Sequence, residues 1–473
     1  MTELLSFRIT QYKMTYTTLN RTLGLRLAIV VVIGNILGSG IYKKVAPMAA
    51  ELDSSFLVLV CWLLAGIITL FGTLSSMELA GMFAETGGEF VYFKKIYNRF
   101  FSYLYGWANL AVLKTATIAS LAYVFAQSLN GIFPLPPFLE SLSDWSLFGV
   151  FYPFADFNVK AAAVLLIMLL TFINTYGIRT GMGLSAALLV LILTGISLIV
   201  IFGFASEQSD LSLLASVPTD SEITVSAMLT AMLAAFWGYE GWNSVGYVAG
   251  EIKDPRKNIP LSLLFGLLIV IAIYLLANTA YLTLLPVSEL NSIYESGNQI
   301  AAVEAVKVFW GNTGGIVIST LILITVLACT HASVISSSRI YYAMGQKGML
   351  FSGLGVLNKS RVPGNSLWLQ GVWSSLLVLS GTFDQLTDTL VFAAFIFYGA
   401  TAFGVFVMRY KAPELERPYR TWGYPVIPAL YVLFCLALVI NTIMTQPREA
   451  IIGISLVGAG IPLFFYFRKN MER

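Results

Sequence analysis

Gly34-Asn35-Ile36-Leu37-Gly38-Ser39-Gly40-Ile41 stands in the middle of an apolar segment long enough to cross a bilayer. Glycine costs a helix interior roughly 1 kcal/mol relative to alanine, so Gly38 and Gly40 around a serine weaken one turn where a lipid-facing helix tolerates it least. That turn must be compensated or used. A second such place, Trp237-Gly238-Tyr239-Glu240-Gly241-Trp242, follows about two hundred residues later in another apolar span.

Outward from these two places the chain is built of similar segments. Of its 473 residues, 57% are hydrophobic and 11% charged. A soluble domain carries about 25% charged residues, so most of this chain is solvated by lipid. A span needs about 20 apolar residues. Twelve segments approach that length: 26–49, 56–83, 101–130, 159–177, 182–204, 225–248, 261–285, 314–344, 366–381, 387–409, 424–445 and 448–467. The separator Gly381-Thr382-Phe383-Asp384-Gln385 is short but polar, as a tight hairpin between spans should be. The first 25 residues hold no apolar core with a cleavage site, so no signal peptide is expected.

With the N-terminus in the cytoplasm, 22 of the 28 Lys and Arg fall inside. Lys43, Lys44, Lys160, Lys307 and Arg448 fall outside, and Lys114 lies within a span. The positive-inside rule therefore supports twelve transmembrane helices with both termini cytoplasmic. The longest non-apolar stretches, about 131–158 and 286–313, are too short for a globular extramembrane domain. The expected organisation is a cytoplasmic segment 1–25, a transport core 26–409, and spans 11 and 12 with a cytoplasmic C-terminus over 410–473. The glycine breaks fall in spans 1 and 6, so spans 1–5 and 6–10 would be corresponding halves of opposite orientation. Paired interrupted helices of this kind point to a midplane site in an inverted-repeat transporter.

The chemistry at the breaks suits an amino acid. Unwinding frees backbone N–H groups around Gly38, Ser39 and Gly40, where the positive end of a helix dipole favours a carboxylate. Carbonyls near Ile36 and Leu37 suit an ammonium group. The alternative is that Gly34 and Gly38 form a GxxxG packing face in an unbroken helix. At the second break, Gly238 and Gly241 bracket Glu240, and a mid-membrane carboxyl is a functional candidate unless it serves a structural ion pair. Lys114 could pair with Glu240, stand in for a coupling cation, or snorkel to an interface. His331, the only histidine, is a proton-relay candidate or a hydrogen-bonded core residue. Ser337, in the Ser336-Ser337-Ser338-Arg339 run, could line a path or simply pack closely. Cys61, Cys329 and Cys435 lie in apolar segments without metal-ligand spacing and are expected to be free packing residues. No metal or cofactor is expected.

Several motifs in order give the chain a resemblance to the amino acid–polyamine–organocation superfamily of transporters. It most resembles the branch holding the L-type amino acid transporters and the bacterial serine/threonine exchangers. The matching pieces are Gly38-Ser39-Gly40-Ile41, Glu85-Thr86-Gly87-Gly88-Glu89-Phe90-Val91-Tyr92 and Phe236-Trp237-Gly238-Tyr239-Glu240-Gly241-Trp242-Asn243, the last running on to Pro260. Tyr274 to Pro286, Ser336 to Gly348, Glu416-Arg417-Pro418-Tyr419-Arg420 and Gly423-Tyr424-Pro425 also match. The resemblance implies an all-α membrane protein of the LeuT type, a five-helix inverted repeat with helices 1 and 6 broken. It also implies a substrate carboxylate held at Gly38, Ser39 and Gly40, and an amine held by carbonyls near Ile36, Trp237 and Glu240. Trp237 would close the site toward the outside, and Gly238 and Gly241 belong to the same binding break.

Two departures bear on coupling and selectivity. Many members carry a span 5 lysine, thought to replace a coupling sodium ion, eighteen residues after the asparagine matched by Asn174; here that count reaches Ile192 and span 5 holds no lysine. The Glu240 position is commonly glycine in eukaryotic L-type members, although bacterial relatives often carry an acid there. The eukaryotic members pair with a glycoprotein through a cysteine between spans 3 and 4. Residues 131–158 contain none, so no disulfide-linked subunit is expected.

The expected function is a plasma-membrane permease moving neutral L-amino acids by alternating access, as an exchanger or facilitator. A proton-coupled symporter using Glu240 or His331 is the alternative, and a non-transporting amino acid sensor would use the same binding residues. An intramembrane hydrolase would need a placed acid and an oxyanion site that the spacing does not supply, so the chain is not read as an enzyme.

Overall fold

The computed structural model describes residues 23–83, 88–176, 182–215, 224–243 and 252–471. The segment 1–22, the 85–87 part of the loop motif, residues 177–179 after Asn174, and the 244–248 end of span 6 with 249–251 beyond it lie outside the described residues. Span 1 is three pieces, α1 (Leu25–Ile36), α2 (Gly40–Lys43) and α3 (Val45–Leu52). There follow α4 (Ser55–Met82), α5 (Glu89–Ile96), α6 (Arg99–Ala108), α7 (Lys114–Ile132), α8 (Phe157–Thr175), α9 (Met182–Ala205) and α10 (Val225–Tyr239). The second half contains α11 (Pro255–Leu284), α12 (Val287–Ser296), α13 (Ala301–Gln346), α14 (Gly364–Ser380), α15 (Phe383–Lys411), α16 (Val426–Thr445), α17 (Pro447–Gly458) and α18 (Gly460–Met471).

Among the described residues eight helices, counting α6–α7 and α17–α18 each as one, are long and apolar enough to cross a membrane. Leu25–Ile36, Leu189–Ala205 and Val225–Tyr239 are shorter apolar helices. The chain is a multi-pass, all-helical membrane protein. Backbone polar groups in hydrocarbon must be satisfied within the segment, which is why the apolar runs are helical.

Polar side chains mark where helices start. Ser54 accepts from the Leu57 N–H, Asn98 from Phe101 and Thr224 from Ala227, each capping an otherwise orphan donor. At α15, Thr382 and Gln385 form a reciprocal capping box, Thr382 N–H donating to Gln385 Oε1 at 3.0 Å. This corrects the expected five-residue hairpin: only Gly381 and Thr382 separate α14 from α15, and Asp384 and Gln385 sit in the first helical turn.

The bundle has an inner and an outer part. In the apolar window of Arg99–Ile132 83% of residues are buried, against 28% for Pro447–Arg468, so α6–α7 form core and α17–α18 face outward. Packed with α7 are α8, α13 and α14; α1 lies on α11, and α10 lies among α3, α4 and α15. Among the described residues, a π-helical turn and a glycine kink interrupt long helices. Asn109–Leu113 form a π-helical turn between α6 and α7, and Gly311 breaks α13 with φ 63°.

Candidate functional site

The first helix break is formed by Leu37, Gly38 and Ser39. Helix α1 stops at Ile36, Leu37 is extended at ψ 99°, and helical structure resumes at Gly40. The second break begins at Glu240, extended at ψ 143°, followed by Gly241 with φ 103°. Only glycine adopts that last conformation without strain, and an added Cβ would also collide with the Asn35 carbonyl. The two breaks face each other. A Cβ on Gly40 would lie 2.6 Å from the Gly238 Cα, so the half-helices cross through glycine backbone.

Side chains then tie the breaks together. Trp237 Nε1 donates to Ser39 Oγ at 3.2 Å. The Tyr274 hydroxyl of α11 lies 2.6 Å from the Gly238 carbonyl oxygen and 3.1 Å from that of Ile36, so one phenol serves carbonyls from both breaks. Trp62 packs edge-on to Tyr239 and Tyr274, and Tyr239 donates to the Trp62 carbonyl at 3.0 Å. The broken turns are therefore supported by a buried aromatic group rather than left to lipid.

Beside this junction lies a cavity of about 420 Å³. Its walls include Ile36, Gly38, Ser39, Gly40, Trp237, Glu240 and Gly241. Helix α7 contributes Lys114, Thr117 and Leu121 at helical spacing, and α13 contributes a stripe from Thr325 through Cys329 and Ser333 to Ser337. Leu27 and Ser336, both exposed, line its mouth near the start of α1. The far end stops at Trp237, which packs edge-on to the buried Phe383 at 6.1 Å.

Glu240 is held on this wall by Tyr398 of α15, whose hydroxyl lies 2.9 and 2.7 Å from the two carboxylate oxygens. Lys114 directly follows the π-helical turn and lines the same cavity. Next to it, Glu89 of the connecting helix α5 accepts from Asn243 at 2.7 Å and from Tyr105 at 3.3 Å. Burial pushes the Glu89 carboxyl above its ordinary range, opposed by these bonds and by the Lys114 charge.

Of the sequence-predicted residues, Ile36, Gly38, Ser39, Gly40, Trp237, Glu240, Gly241, Lys114 and Ser337 share one cavity. Gly238 lies behind it, against Trp62 and Tyr274. His331 is absent from the lining and sits 3.0 Å from Asn174 Oδ1 on α8, the hydrogen-bonded arrangement weighed against proton relay. The Ser337 hydroxyl donates to the Ser333 carbonyl at 2.7 Å. Among the described residues nothing lies within 4 Å of a Cβ on Gly34, and only the Ile36 carbonyl, at 3.9 Å, lies near one on Gly38. These two glycines open onto the cavity and do not form a GxxxG packing face. Cys61 and Cys435 are buried packing residues as expected, whereas Cys329 lines the cavity. Sequence reasoning missed Tyr398 and the bridging role of Tyr274, both aromatic residues in apolar helices without a polar pattern around them.

Residues 23–465 match the model of the amino acid permease family. The serine/threonine exchanger of Bacillus subtilis is 28% identical, the alignment covering 96% of this chain and 98% of that protein. The human b(0,+)-type amino acid transporter 1 is 25% identical over 95% of this chain and 88% of its own length. The human large neutral amino acids transporter small subunit 2 is 26% identical over 94% and 80%.

Proposed function

The chain belongs to the amino acid permease family, and from that membership we propose that it exchanges neutral L-amino acids across the plasma membrane by alternating access. It is a permease and not an enzyme. The observation that carries this function is the meeting of two helix breaks beside one cavity whose wall holds Ser39, Trp237 and Glu240. The N–H groups at the start of α2 lack a preceding turn to bond to and suit a carboxylate. The Ile36 carbonyl keeps a lone pair beside Tyr274 for an ammonium group. Apolar Leu121 and Ile192 on the same walls suit an uncharged side chain.

The topology we infer has twelve passes, with spans 1–5 and 6–10 as inverted repeats of the LeuT type and spans 11 and 12 appended. With the basic residues inside, both termini are cytoplasmic and the cavity opens to the cytoplasm. Lys114, on the cavity wall, is our candidate for the cation that span 5 lacks at Ile192. The absence of cysteine from 131–158 supports a transporter without a disulfide-linked subunit.

Counter-flow of labelled amino acids in proteoliposomes at two pH values tests this function. Trans-stimulated uptake of small neutral amino acids, unaffected by collapse of proton and sodium gradients, is expected. No flux across an amino acid panel would refute it and favour a sensor. A second function, proton-coupled symport, is favoured by Glu240 on the cavity wall and predicts uptake that collapses with the pH gradient.

A further inference from the structure

Lys43 ends α2 and Lys44 joins it to α3, just beyond Gly40 and on the side of Trp237 away from the cavity mouth. Sequence patterning places both among the exposed basic residues of one membrane face, yet they are buried, at 6% and 0% exposure. An ammonium group withdrawn from water needs partners. Lys44 Nζ meets Asp384 Oδ1 at 2.7 Å, Thr387 Oγ1 at 2.7 Å and Asp388 Oδ1 at 3.4 Å, all in the first turns of α15. Lys43 Nζ donates to Gln127 Oε1 of α7 at 2.7 Å and lies 3.5 Å from the Gly297 carbonyl that closes α12. Gln127 donates to the same carbonyl at 2.7 Å. Phe383 lies 4.9 and 5.0 Å from the two ammonium nitrogens, and it is the ring on which Trp237 packs.

Two adjacent lysines thus fasten the half-helix beyond the first break to α7, α12 and α15. We propose that Lys43 and Lys44 form a latch that holds the end of the cavity opposite its mouth shut, which makes them positioning residues of the transport reaction. To open that end, α2 and α3 must part from α15, and Lys44 must exchange two carboxylates and a hydroxyl for water. The carboxylates are placed for this exchange: Asp384 and Asp388 side chains keep 20% and 14% exposure while Lys44 keeps none. Water at the edge of the cluster can follow the parting helices. A latch made of charges suits a reversible closure, because its desolvation cost offsets much of its Coulombic gain and leaves the two states close in energy.

The latch rests on the alternating-access function proposed above, and Cys329 can report on it separately. This thiol lines the cavity, and Cys61 and Cys435 are replaced by alanine to leave it alone. A membrane-impermeant maleimide is applied to oriented vesicles from the Leu23 face or from the Asp384 face. Lys44→Met and Asp384→Asn are each expected to lower Cys329 labelling several-fold from the Leu23 face and to raise it from the other, as a population shift requires. The maximal exchange rate should move with the labelling. The swap Lys44→Asp with Asp384→Lys should restore the parental pattern. Should Lys44→Met fail to reach the membrane, Asp384→Asn decides, because Lys44 keeps Thr387 and Asp388. A folded variant that labels like its parent from both faces overturns the latch. Amino acid exchange by the parent in the same vesicles separates that outcome from failure of the transport function itself.

Discussion

The indole Nε1 of Trp237 donates to the hydroxyl of Ser39 across 3.2 Å, joining the second helix break to the first at the closed end of the cavity. Ser39 is 1% exposed, so Ser39→Ala leaves a buried indole donor without its partner, at a cost of about 1–3 kcal/mol. The backbone N–H groups proposed to hold a carboxylate survive the change. We expect a KM for exchange raised about tenfold, the equivalent of 1.4 kcal/mol, with a smaller change in maximal rate. Initial rates against substrate concentration in proteoliposomes measure both.

Gly40 and Gly34 make a paired test of the crossing. A Cβ on Gly40 falls 2.6 Å from the Gly238 Cα and 3.0 Å from its nitrogen, both backbone atoms that cannot rotate away. Gly40→Ala is expected to cost about 1–3 kcal/mol of overpacking and to abolish exchange. Among the described residues Gly34→Ala meets nothing within 4 Å and it adds helix propensity, so its stability should be unchanged or slightly raised. Thermal unfolding in detergent beside exchange assays distinguishes the two.

Much of the helical framework is legible in the sequence because lipid demands about twenty apolar residues per span, and both breaks are legible because glycine is costly there. Cross-chain pairing is another matter. Tyr274 meets Ile36 across 238 positions and Tyr398 meets Glu240 across 158, and no local pattern announces either contact. Lys43 and Lys44 look like surface cations at a span end; Lys44 is buried against carboxylates more than 300 positions away, and Lys43 against Gln127 and the Gly297 carbonyl. The π-helical turn before Lys114 has no compositional sign, since Asn109-Leu110-Ala111-Val112-Leu113 would serve an α-helix equally well.

Glu240 and Tyr398 should behave as one unit. Tyr398→Phe removes the hydroxyl that serves both carboxylate oxygens, and Glu240→Gln keeps an oxygen for that hydroxyl while removing the charge. Each single change is expected to slow exchange, and the double change to cost about 1 kcal/mol less than their sum. If the protein is an exchanger, Glu240→Gln retains exchange that is indifferent to a proton ionophore. Loss of all uptake in Glu240→Gln, with parental uptake abolished by the ionophore, would assign proton coupling to this carboxyl.

Cys329 supplies a chemical probe of the cavity. It lines the wall on α13 with Thr325 and Ser333, while Cys61 and Cys435 are buried elsewhere. A maleimide attached there projects into the cavity of about 420 Å³ proposed to hold the substrate. Inactivation from the Leu23 face is expected, with protection by any transported amino acid and none by a non-substrate. Cys329→Ser should be resistant, and labelled mass spectrometry identifies the site.

Glu78 shows how the face around the cavity mouth is braced. Its carboxylate is fully buried at the end of α4, where Arg409 of α15 grips it from Nε at 3.0 Å and Nη2 at 2.7 Å. Arg417 adds a bond at 3.2 Å and the Thr421 N–H another at 2.8 Å. Arg417 also donates to the carbonyls of Met408, Ala412, Pro413 and Leu415, so the Glu416-Arg417-Pro418-Tyr419-Arg420 motif is a clasp between α15 and the connection to α16. Removing the acid leaves two cations facing a buried site, and breaking such a group costs about 3–5 kcal/mol. Glu78→Ala is therefore expected to lower the melting temperature in detergent sharply. Arg409→Lys should lower it less, since a lysine keeps the charge but loses the two-point grip. Arg256 and Glu416, only 2.9 Å apart but 60% and 73% exposed, give the contrast. Solvent screens that pair, and Arg256→Ala should change stability by no more than about 1 kcal/mol. A melting temperature in Glu78→Ala as little affected as in Arg256→Ala would show that the clasp does not brace this face.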